Sequence, residues 1–210
     1  MRVDRQGDLI AGAASEVTPG SASVAGFISD IRQNPANCAL LERLPVLDLP
    51  DAWLVAGCLF QTVWNLRCGR PPQAGIKDYD VFYFDGSDLS AEAEAAVDER
   101  VQALCSDLSI PIEVKNQARV HTWYSEYFGF NYNALHSTRD GIARFLVPCT
   151  CVGLRIGDGA STAALYAPHG LDELYGGILR PNSLIDHRSL FRQKAQSYRA
   201  RWNWLQIVED

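Results

Sequence analysis

Two aspartates stand two positions apart at the start of a strand-like segment, KDYDVFYFD, which runs from Lys77 to Asp85. Side chains alternate along a strand, so Asp78 and Asp80 project from the same face, about 6–7 Å apart along the backbone. Two carboxylates so placed repel each other in a partly dry site unless a cation neutralises them. Mg²⁺ takes oxygen ligands and keeps positions for water and substrate phosphates. The pair therefore predicts a site for Mg²⁺ or Mn²⁺.

Glu113 is the candidate third carboxylate. It lies between Ile112 and Val114 in a second predicted strand that can pair beside the first. Because neighbouring strands are about 4.8 Å apart, a glutamate on the second strand can reach the same pocket. Three carboxylates holding two ions about 3.5–4 Å apart suit in-line transfer at phosphorus, in which one ion activates a hydroxyl and the other stabilises pyrophosphate. The alternative is a solvent-facing strand residue beside Lys115.

Gly57 and Cys58 form a candidate phosphate site at the start of an apolar helix. A glycine there lets a phosphate approach the backbone, and the first turn of a helix offers unpaired N–H donors. Cys58 is expected to supply one of these amides and a thiol contact. The alternative is that Gly57 only allows close packing under Trp53 or Trp64.

The segment NQARVH after Glu113 contains two further candidates. Arg119 is a candidate ligand for a triphosphate, because a guanidinium fork suits phosphate oxygens. The alternative is an ion pair with an acidic surface residue. His121 is a candidate proton shuttle, but packing near Trp123 is the favoured interpretation. The six cysteines form no C-x-x-C pair of the kind that binds zinc. Cys149 and Cys151 share one face of a predicted strand and could contact a metal, but all six cysteines are interpreted as reduced, buried thiols.

The elements that must position these residues alternate between helix and strand. A helical segment from residue 24 to 44 breaks at Asn34-Pro35, and an apolar helix with Asp51 as a candidate cap ends at Gly69. Further segments are predicted as follows: strand YDVFYFD, a helix from Ser90, strand IPIEVKNQARVH, a short helix near Ser137 to Phe145, strands TCVGLRI and AALYAP around the turn Gly157-Asp158-Gly159, a helix stopped by Gly176-Gly177, and a basic helix from His187 to Leu205. This succession predicts an α/β layer with a small mixed sheet flanked by helices.

Composition restricts the class of protein. The 210 residues and the 47% hydrophobic content predict one well-buried domain. A net charge of −6 disfavours broad binding to nucleic-acid phosphates, so the basic helix is interpreted as a solvated face, with RNA contact as the lesser alternative. No run of about 18 apolar residues suggests a membrane span. Residues 1–23 lack a secretory signal and are predicted to be a loose tail, so we expect a cytoplasmic protein.

The motif series resembles a known family. The segments VAGCLFQTVWNLRCG, KDYDVFYFD, IEVKNQARVHTWY, FLVPCTCVGLR and YAPHGLDELYGGILRPN are similar to the bacterial nucleotidyltransferase-like family, formerly known only as a domain of unknown function. That family is a remote branch of the DNA polymerase beta-like nucleotidyltransferases. The resemblance covers about residues 40–205. It implies the nucleotidyltransferase fold over residues 24–210, with the basic helix as a C-terminal extension, and a metal role for Asp78, Asp80 and Glu113.

The resemblance leaves the substrate open. The usual Gly-Ser of the wider polymerase beta-like superfamily is Gly57-Cys58 here, which removes a hydroxyl contact to phosphate. The stretch from Gly57 to Asp78 is also longer than in most relatives. The first hypothesis is a metal-dependent enzyme that moves a nucleoside monophosphate from a nucleoside triphosphate to an acceptor hydroxyl. A small molecule or a protein is favoured over RNA as the acceptor. The alternatives are a weak or inactive nucleotide- or protein-binding relative and, last, a metal-dependent phosphohydrolase.

Overall fold

A five-stranded mixed sheet organises the computed structural model of the protein, which describes residues 22–129, 132–156, 163–185 and 187–209. The strand order is β3 (Ile112–Asn116), β2 (Tyr79–Tyr83), β1 (Trp53–Val55), β4 (Gly153–Ile156) and β5 (Ala163–Tyr166). Strands β2 and β3 are parallel, and the other neighbours are antiparallel. A short parallel pair, β6 (Ile178–Leu179) with β7 (Gln206–Ile207), forms a separate two-stranded sheet. This arrangement confirms the predicted mixed sheet flanked by helices.

Helices and strands alternate along the chain. Their bounds are α1 Val24–Ile31, α2 Pro35–Arg43, β1 Trp53–Val55, α3 Gly57–Arg67, β2 Tyr79–Tyr83, α4 Ala91–Leu104, β3 Ile112–Asn116, α5 Val120–Phe128, α6 Thr138–Ile142, β4 Gly153–Ile156, β5 Ala163–Tyr166, α7 Asp172–Gly176, β6 Ile178–Leu179, α8 Arg188–Arg201 and β7 Gln206–Ile207. Short 3₁₀ turns at Leu44–Leu47, Gln117–Arg119 and Pro148–Thr150 join some of these elements.

Helix α3 runs through the core and is buried on every side from Gly57 to Asn65. Its aromatic side chains pack against α8, with Trp64 in edge contact with Trp202 at a ring-centre distance of 5.2 Å. Between Gly57 and Asn65 this helix is apolar except for Gln61, Thr62 and Asn65, and this composition suits its central position. The helix therefore starts at a fixed place against the middle of the sheet.

Several local predictions were wrong, among them the burial of all six cysteines, since Cys68 is exposed, and the strand position of Cys149, which lies in a 3₁₀ turn. Asp51 does not cap a helix, because the residues that follow it form the central strand β1. Its carboxylate accepts hydrogen bonds from Nε1 of Trp53 at 2.8 Å and from the N–H of Thr138 at 2.9 Å. The predicted strand IPIEVKNQARVH ends at Asn116, whose side-chain oxygen accepts from the N–H of Ala118 and starts a 3₁₀ turn.

The predicted tail lies outside the described residues except for its last two positions. Ser23 is the N-cap of α1, the first described helix, because its hydroxyl accepts a hydrogen bond from the N–H of Gly26 at 3.0 Å. The predicted turn at Gly157–Gly159 also lies outside the described residues. Across the described ranges, no helix has the length and apolar character needed to cross a membrane.

Candidate active site

Strands β2 and β3 place the predicted carboxylates on one face of the sheet. Tyr79 and Val81 of β2 are buried in the core, so Asp80 between them points to the opposite face. Asp78 shares this direction because it stands two positions earlier. Parallel pairing sets Glu113 of β3 directly beside Asp80, as expected for neighbouring strands.

The turn between β1 and α3 brings Gly57 against the two aspartates. The chain turns sharply at Ala56, whose φ of +53° is strained for a residue with a side chain, and α3 then begins at Gly57. A methyl group added to Gly57 would lie 3.9 Å from Oδ1 of Asp78 and 4.0 Å from Oδ2 of Asp80. Three residues that are distant in the sequence therefore meet at one point, and the missing side chain keeps the helix start open.

Asp80 carries the clearest electrostatic signature of the site. Burial raises the pKa of its carboxyl to about 7, with further contributions from the charges of Asp78 and Glu113, and Lys194 and Lys115 partly oppose the rise. Within the described residues, no hydrogen bond or ion pair engages the side chain of Asp78 or Asp80. Burial and the neighbouring carboxylates therefore outweigh the two lysines and disfavour the ionised form of Asp80, which a cation bound at this position would stabilise.

A cavity of about 450 Å³ opens over this face of the sheet and includes Gly57, Asp78 and Asp80 in its wall. Its cationic residues are Lys77, Lys115, Arg144, Lys194 and Arg201. Its aromatic residues are Phe60, Phe82, Trp123, Tyr124, Tyr132, Phe145 and Tyr198. Positive charge and aromatic surface are the chemistry that phosphates and flat rings require of a binding site.

Gln61 and Arg201 belong to the site but were not identified from the sequence. Arg201 donates a hydrogen bond to Oε1 of Gln61 at 2.8 Å and another to the carbonyl of Gly75 at 2.6 Å. The first contact orients the Gln61 amide so that its Nε2 faces Gly57, 2.9 Å from the position of an added methyl group. A signal for Gln61 existed, since a residue four positions after Gly57 lies on the same face of a helix.

The basic helix α8 differs from the solvated face that the sequence predicts. Lys194 and Arg201 line the cavity, whereas Arg192 pairs at 2.7 Å with Glu209 and Arg199 is exposed. Burial lowers the pKa of the Arg201 guanidinium. This helix lies far from the aspartates in the sequence, so only the tertiary packing brings its cations to them.

The structure does not bring every predicted residue into the cavity. The Cys58 thiol is fully buried and donates to the Val55 carbonyl at 3.4 Å, so the predicted thiol contact to phosphate is excluded for this conformation. Arg119 lies away from the cavity wall, because it pairs with Glu94 at 2.8 Å and donates to the Leu89 carbonyl. Its position does not support the predicted role as a phosphate ligand.

His121 and Glu113 also lie outside the cavity wall. His121 is half-buried on α5, and its Nδ1 has no hydrogen-bond partner among the described residues. Glu113 is exposed, although it stands beside Asp80 in the sheet. Neither side chain contributes to the cavity surface in this conformation.

The chemistry of the aspartate pair fits a divalent ion. No group of three or more His, Cys, Asp or Glu side chains within the described residues is gathered closely enough to enclose a metal. Asp78 and Asp80 nevertheless offer hard oxygen ligands that have no hydrogen-bond or ion-pair partner among the described residues, and burial and neighbouring carboxylates raise the pKa of Asp80. Mg²⁺ typically takes one or two carboxylates and completes its shell with water and substrate phosphates, so the pair suffices as its protein ligands.

A solved structure resembles the whole fold. It is described as an NMR structure that reveals a CCA-adding enzyme head domain, and it matches with a TM-score of 0.74 at 24% sequence identity. The match covers 90% of this chain and 97% of that chain. At this identity the likeness shows the fold. Among curated proteins, no match was found.

A sequence-family model provides the decisive comparison. The family described as Nucleotidyltransferase matches residues 42–207, which extend from the end of α2 to the end of β7. This range contains both aspartates, Gly57 and every described residue of the cavity wall. The match agrees with the family resemblance that the motifs indicated and with the observed fold. The chain belongs to the nucleotidyltransferase family, and nucleotidyl transfer is the general activity that this family supports.

Proposed function

We propose that the protein moves a nucleoside monophosphate from a nucleoside triphosphate to an acceptor hydroxyl and releases pyrophosphate. One observation carries the proposal: two carboxylates that have no hydrogen-bond or ion-pair partner among the described residues meet the start of α3 in the wall of a cavity, which five of the described cationic side chains also line. Negative charge in the middle of a positive cavity suits a metal–triphosphate complex, in which the cations contact phosphates and the carboxylates contact the metal.

Each group in the cavity has a defined part in this proposal. Asp78 and Asp80 would hold Mg²⁺ or Mn²⁺, which when bound offsets phosphate charge and lowers the pKa of a nearby hydroxyl. Lys77, Lys194 and Arg201 are proposed to bind the triphosphate. The first amides of α3 and Nε2 of Gln61 are proposed to donate hydrogen bonds to its oxygens, since unpaired N–H groups at a helix start favour anions.

Glu113 is proposed as the third carboxylate, acting on the acceptor. It stands beside Asp80 on the neighbouring strand, and its charge contributes to the raised pKa of Asp80. Its exposed side chain would have to turn toward the cavity when substrates bind. The proposal therefore assigns Glu113 to the chemical step and leaves nucleotide binding to the other residues.

The second candidate is a weak or inactive nucleotide-binding member of the same fold. Two observations favour it: Glu113 does not line the cavity, and the described carboxylates form no three-ligand cluster. A protein of this type would bind a nucleoside triphosphate through the same cations and release it unchanged.

Label transfer from nucleoside triphosphates distinguishes the two candidates. Purified protein is incubated with each α-labelled triphosphate, with Mg²⁺ or Mn²⁺, and with separate small-molecule and protein fractions of a cell extract. We expect label on an acceptor with the wild type and none with Asp80→Asn. Binding of a triphosphate without any label transfer from all four nucleotides would support the inactive alternative instead.

A further inference from the structure

The cavity has two ends that differ in chemistry. Asp78, just before β2, and Asp80 and Phe82 within it follow one another on the same face, and at about 3.3 Å per residue this row spans about 13 Å. Lys77 directly precedes Asp78, and Arg201 donates to Gln61 and to the Gly75 carbonyl, whereas Lys194, two turns earlier on α8, acts on Asp80. We call Lys77, Gln61, Lys194 and Arg201 the cationic end of the cavity. The two aspartates separate this end from Phe82, which marks the beginning of the second end.

The second end, which we call the aromatic end, is built by α5, α6 and the segments beside them. Its rings are Phe82, Trp123, Tyr124, Tyr132 and Phe145. Tyr124 and Tyr132 have ring centres 4.3 Å apart, Trp123 lies 6.0 Å from Tyr124, and Phe82 lies 5.8 Å from Phe145. These half-buried rings leave their remaining surface to the cavity, as in sites that bind flat ligands.

In-line displacement assigns the two ends to different substrates. The attacking oxygen and the leaving pyrophosphate stand on opposite sides of the phosphorus during such a transfer. On the proposed function, the phosphorus lies at the aspartates and the pyrophosphate lies at the cationic end. The acceptor hydroxyl must then approach the phosphorus from the aromatic end. The nucleoside of the donor extends to one side of the axis that joins the attacking oxygen, the phosphorus and the leaving oxygen.

The charges of the aromatic end indicate what kind of acceptor fits. Lys115 is paired with Phe82 across the sheet, and Arg144 lies over the Tyr132 ring at 5.0 Å. Among the described residues, neither Lys115 nor Arg144 forms an ion pair with a carboxylate at this end. A nucleobase is uncharged at neutral pH, so two cations do not attract it through net charge. A phosphate monoester carries a charge of about −1.5 to −2 and pairs with both.

We propose that the aromatic end is the acceptor site and that it takes a ring alcohol bearing a phosphate monoester, either a sugar phosphate or a nucleotide. This inference rests on the proposed function. The ring would stack on Trp123 and Tyr124, and the phosphate would contact Lys115 and Arg144. In the transfer, the acceptor hydroxyl oxygen bonds to the α-phosphorus. The bond from that phosphorus to the bridging oxygen breaks, pyrophosphate leaves with the electron pair, and the hydroxyl proton passes to solvent.

Calorimetry with the donor site already filled tests this assignment. The protein is first saturated with Mg²⁺ and an α,β-methylene analogue of ATP, and ribose 5-phosphate or AMP is then titrated, with ribose and adenosine as uncharged controls. We expect both phosphates to bind without displacing the analogue, and both neutral compounds to bind at least about tenfold more weakly. Tighter binding of AMP than of ribose 5-phosphate identifies a nucleotide as the acceptor, and equal binding identifies a sugar phosphate.

Variants at the two ends provide the matched comparison. Arg144→Gln and Trp123→Leu should each weaken the phosphate probes by about tenfold and leave the analogue unaffected. Lys194→Gln at the cationic end should weaken the analogue alone, and Glu126→Gln, an exposed position on α5, should change neither affinity.

The assignment is overturned if the probes displace the analogue or if Arg144→Gln weakens the analogue, because the aromatic end would then hold the donor. If the analogue binds and neither phosphate does, the acceptor class is wrong while the proposed function stands. If the phosphates bind in an Arg144-dependent way and no triphosphate binds, the site stands and the proposed function fails.

Discussion

Asp80 makes the stability of the folded chain depend on pH. Its pKa rises from an ordinary value of 3.8 to about 7 in the folded protein, so folding takes up a proton between about pH 4 and pH 7. Stability is therefore highest at the acidic end of this range and falls as pH rises through 7. Ionising this carboxyl in the folded state costs about 4 kcal/mol relative to the unfolded chain.

Asp80→Asn should remove this dependence. We expect the variant to be more stable than the wild type at pH 8, by up to about 4 kcal/mol, and to have no nucleotidyl transfer activity. Urea unfolding at pH 5 and pH 8 measures the difference, with the exposed Glu99→Gln on α4 as the control. A variant that is less stable than the wild type at pH 8 would show that Asp80 has a structural role.

Gly57→Ala tests the open start of α3. The added methyl group would lie 2.9 Å from Nε2 of Gln61, so the amide must move and the contact between Gln61 and Arg201 is disturbed. We expect triphosphate binding to fall by about tenfold or more, with stability changed by less than about 1 kcal/mol because alanine suits a helix better than glycine. Gly86→Ala is the matched control, since nothing lies within 4 Å of its added methyl group. Unchanged triphosphate binding in Gly57→Ala would show that the start of α3 does not bind the phosphates.

Glu113→Gln separates chemistry from binding. If Glu113 acts on the acceptor, the variant should lose transfer while it keeps its affinity for the triphosphate, because Asp78 and Asp80 retain the metal that bridges to the phosphates. Single-turnover rates and calorimetry measure the two quantities, and Glu126→Gln, an exposed position on α5, serves as the control. Near-normal turnover would mean that Glu113 is only a surface residue of β3.

At the scale of elements, a buried polar network fixes the start of α3. Asn37 of α2 donates to the Cys58 carbonyl at 3.0 Å, and the Thr62 hydroxyl donates to the same carbonyl at 2.7 Å. Asn34 donates to Thr62 at 3.1 Å and to the hydroxyl of Tyr79 at 3.3 Å. These bonds join α2, α3 and β2, so the helix start and the aspartate strand are held in register by the same fully buried groups.

Helix α8 depends on Trp202 for its position. This side chain is fully buried, donates from Nε1 to Oδ1 of Asn65 at 3.0 Å and contacts the rings of Trp64 and Tyr198. Trp202→Ala should cost about 3–5 kcal/mol of stability. It should also weaken triphosphate binding, because Lys194 and Arg201 are carried by this helix.

Thermal unfolding and calorimetry measure both effects, and Arg199→Ala is the control on the exposed face of the same helix. Trp202→Phe should show a smaller loss, since it keeps a ring in the site but leaves Oδ1 of Asn65 without its donor. If triphosphate binding survives Trp202→Ala in the folded protein, α8 does not position the phosphate ligands.

At the scale of the whole molecule, charge is distributed unevenly. The chain carries a net charge of −6, yet five cations line the cavity around two carboxylates. The acidic surface repels free polyphosphates at long range, while the cavity attracts them once they enter. The charges inside the cavity therefore determine triphosphate binding. Binding then depends on what neutralises the carboxylates of Asp78 and Asp80.

Triphosphate binding should therefore require a divalent ion. Without one, Asp78 and Asp80 repel the phosphates at close range. Calorimetry with ATP, GTP, CTP and UTP, each with Mg²⁺, with Mn²⁺ and with excess chelator, measures this dependence. Asp78→Asn combined with Asp80→Asn should restore weak binding in the presence of chelator, because the repulsion is removed. Tight binding by the wild type in excess chelator would contradict the role of the metal as a bridge.

The residues of the carboxylate strand were predictable from the sequence. Alternation along a strand decides that Asp78 and Asp80 share a face whatever the rest of the fold, and a glycine before an apolar helix marks an open helix start. The order of elements likewise predicted the mixed sheet, because helix and strand periodicities are local properties of the chain. The metal role of the pair remains a proposal.

The composition of the cavity was decided by the tertiary structure. Gln61 and Arg201 meet across 140 positions of sequence, and no local pattern records that contact. For Arg119 the sequence left open a phosphate contact or an ion pair with an acidic residue, and in the fold Glu94 on α4 pairs with its guanidinium. Cys58 follows the predicted glycine, yet its thiol faces the core because one turn of a helix sends successive side chains in different directions. Local periodicity determines which way a side chain points from its own element, whereas the packing of distant elements determines what it meets.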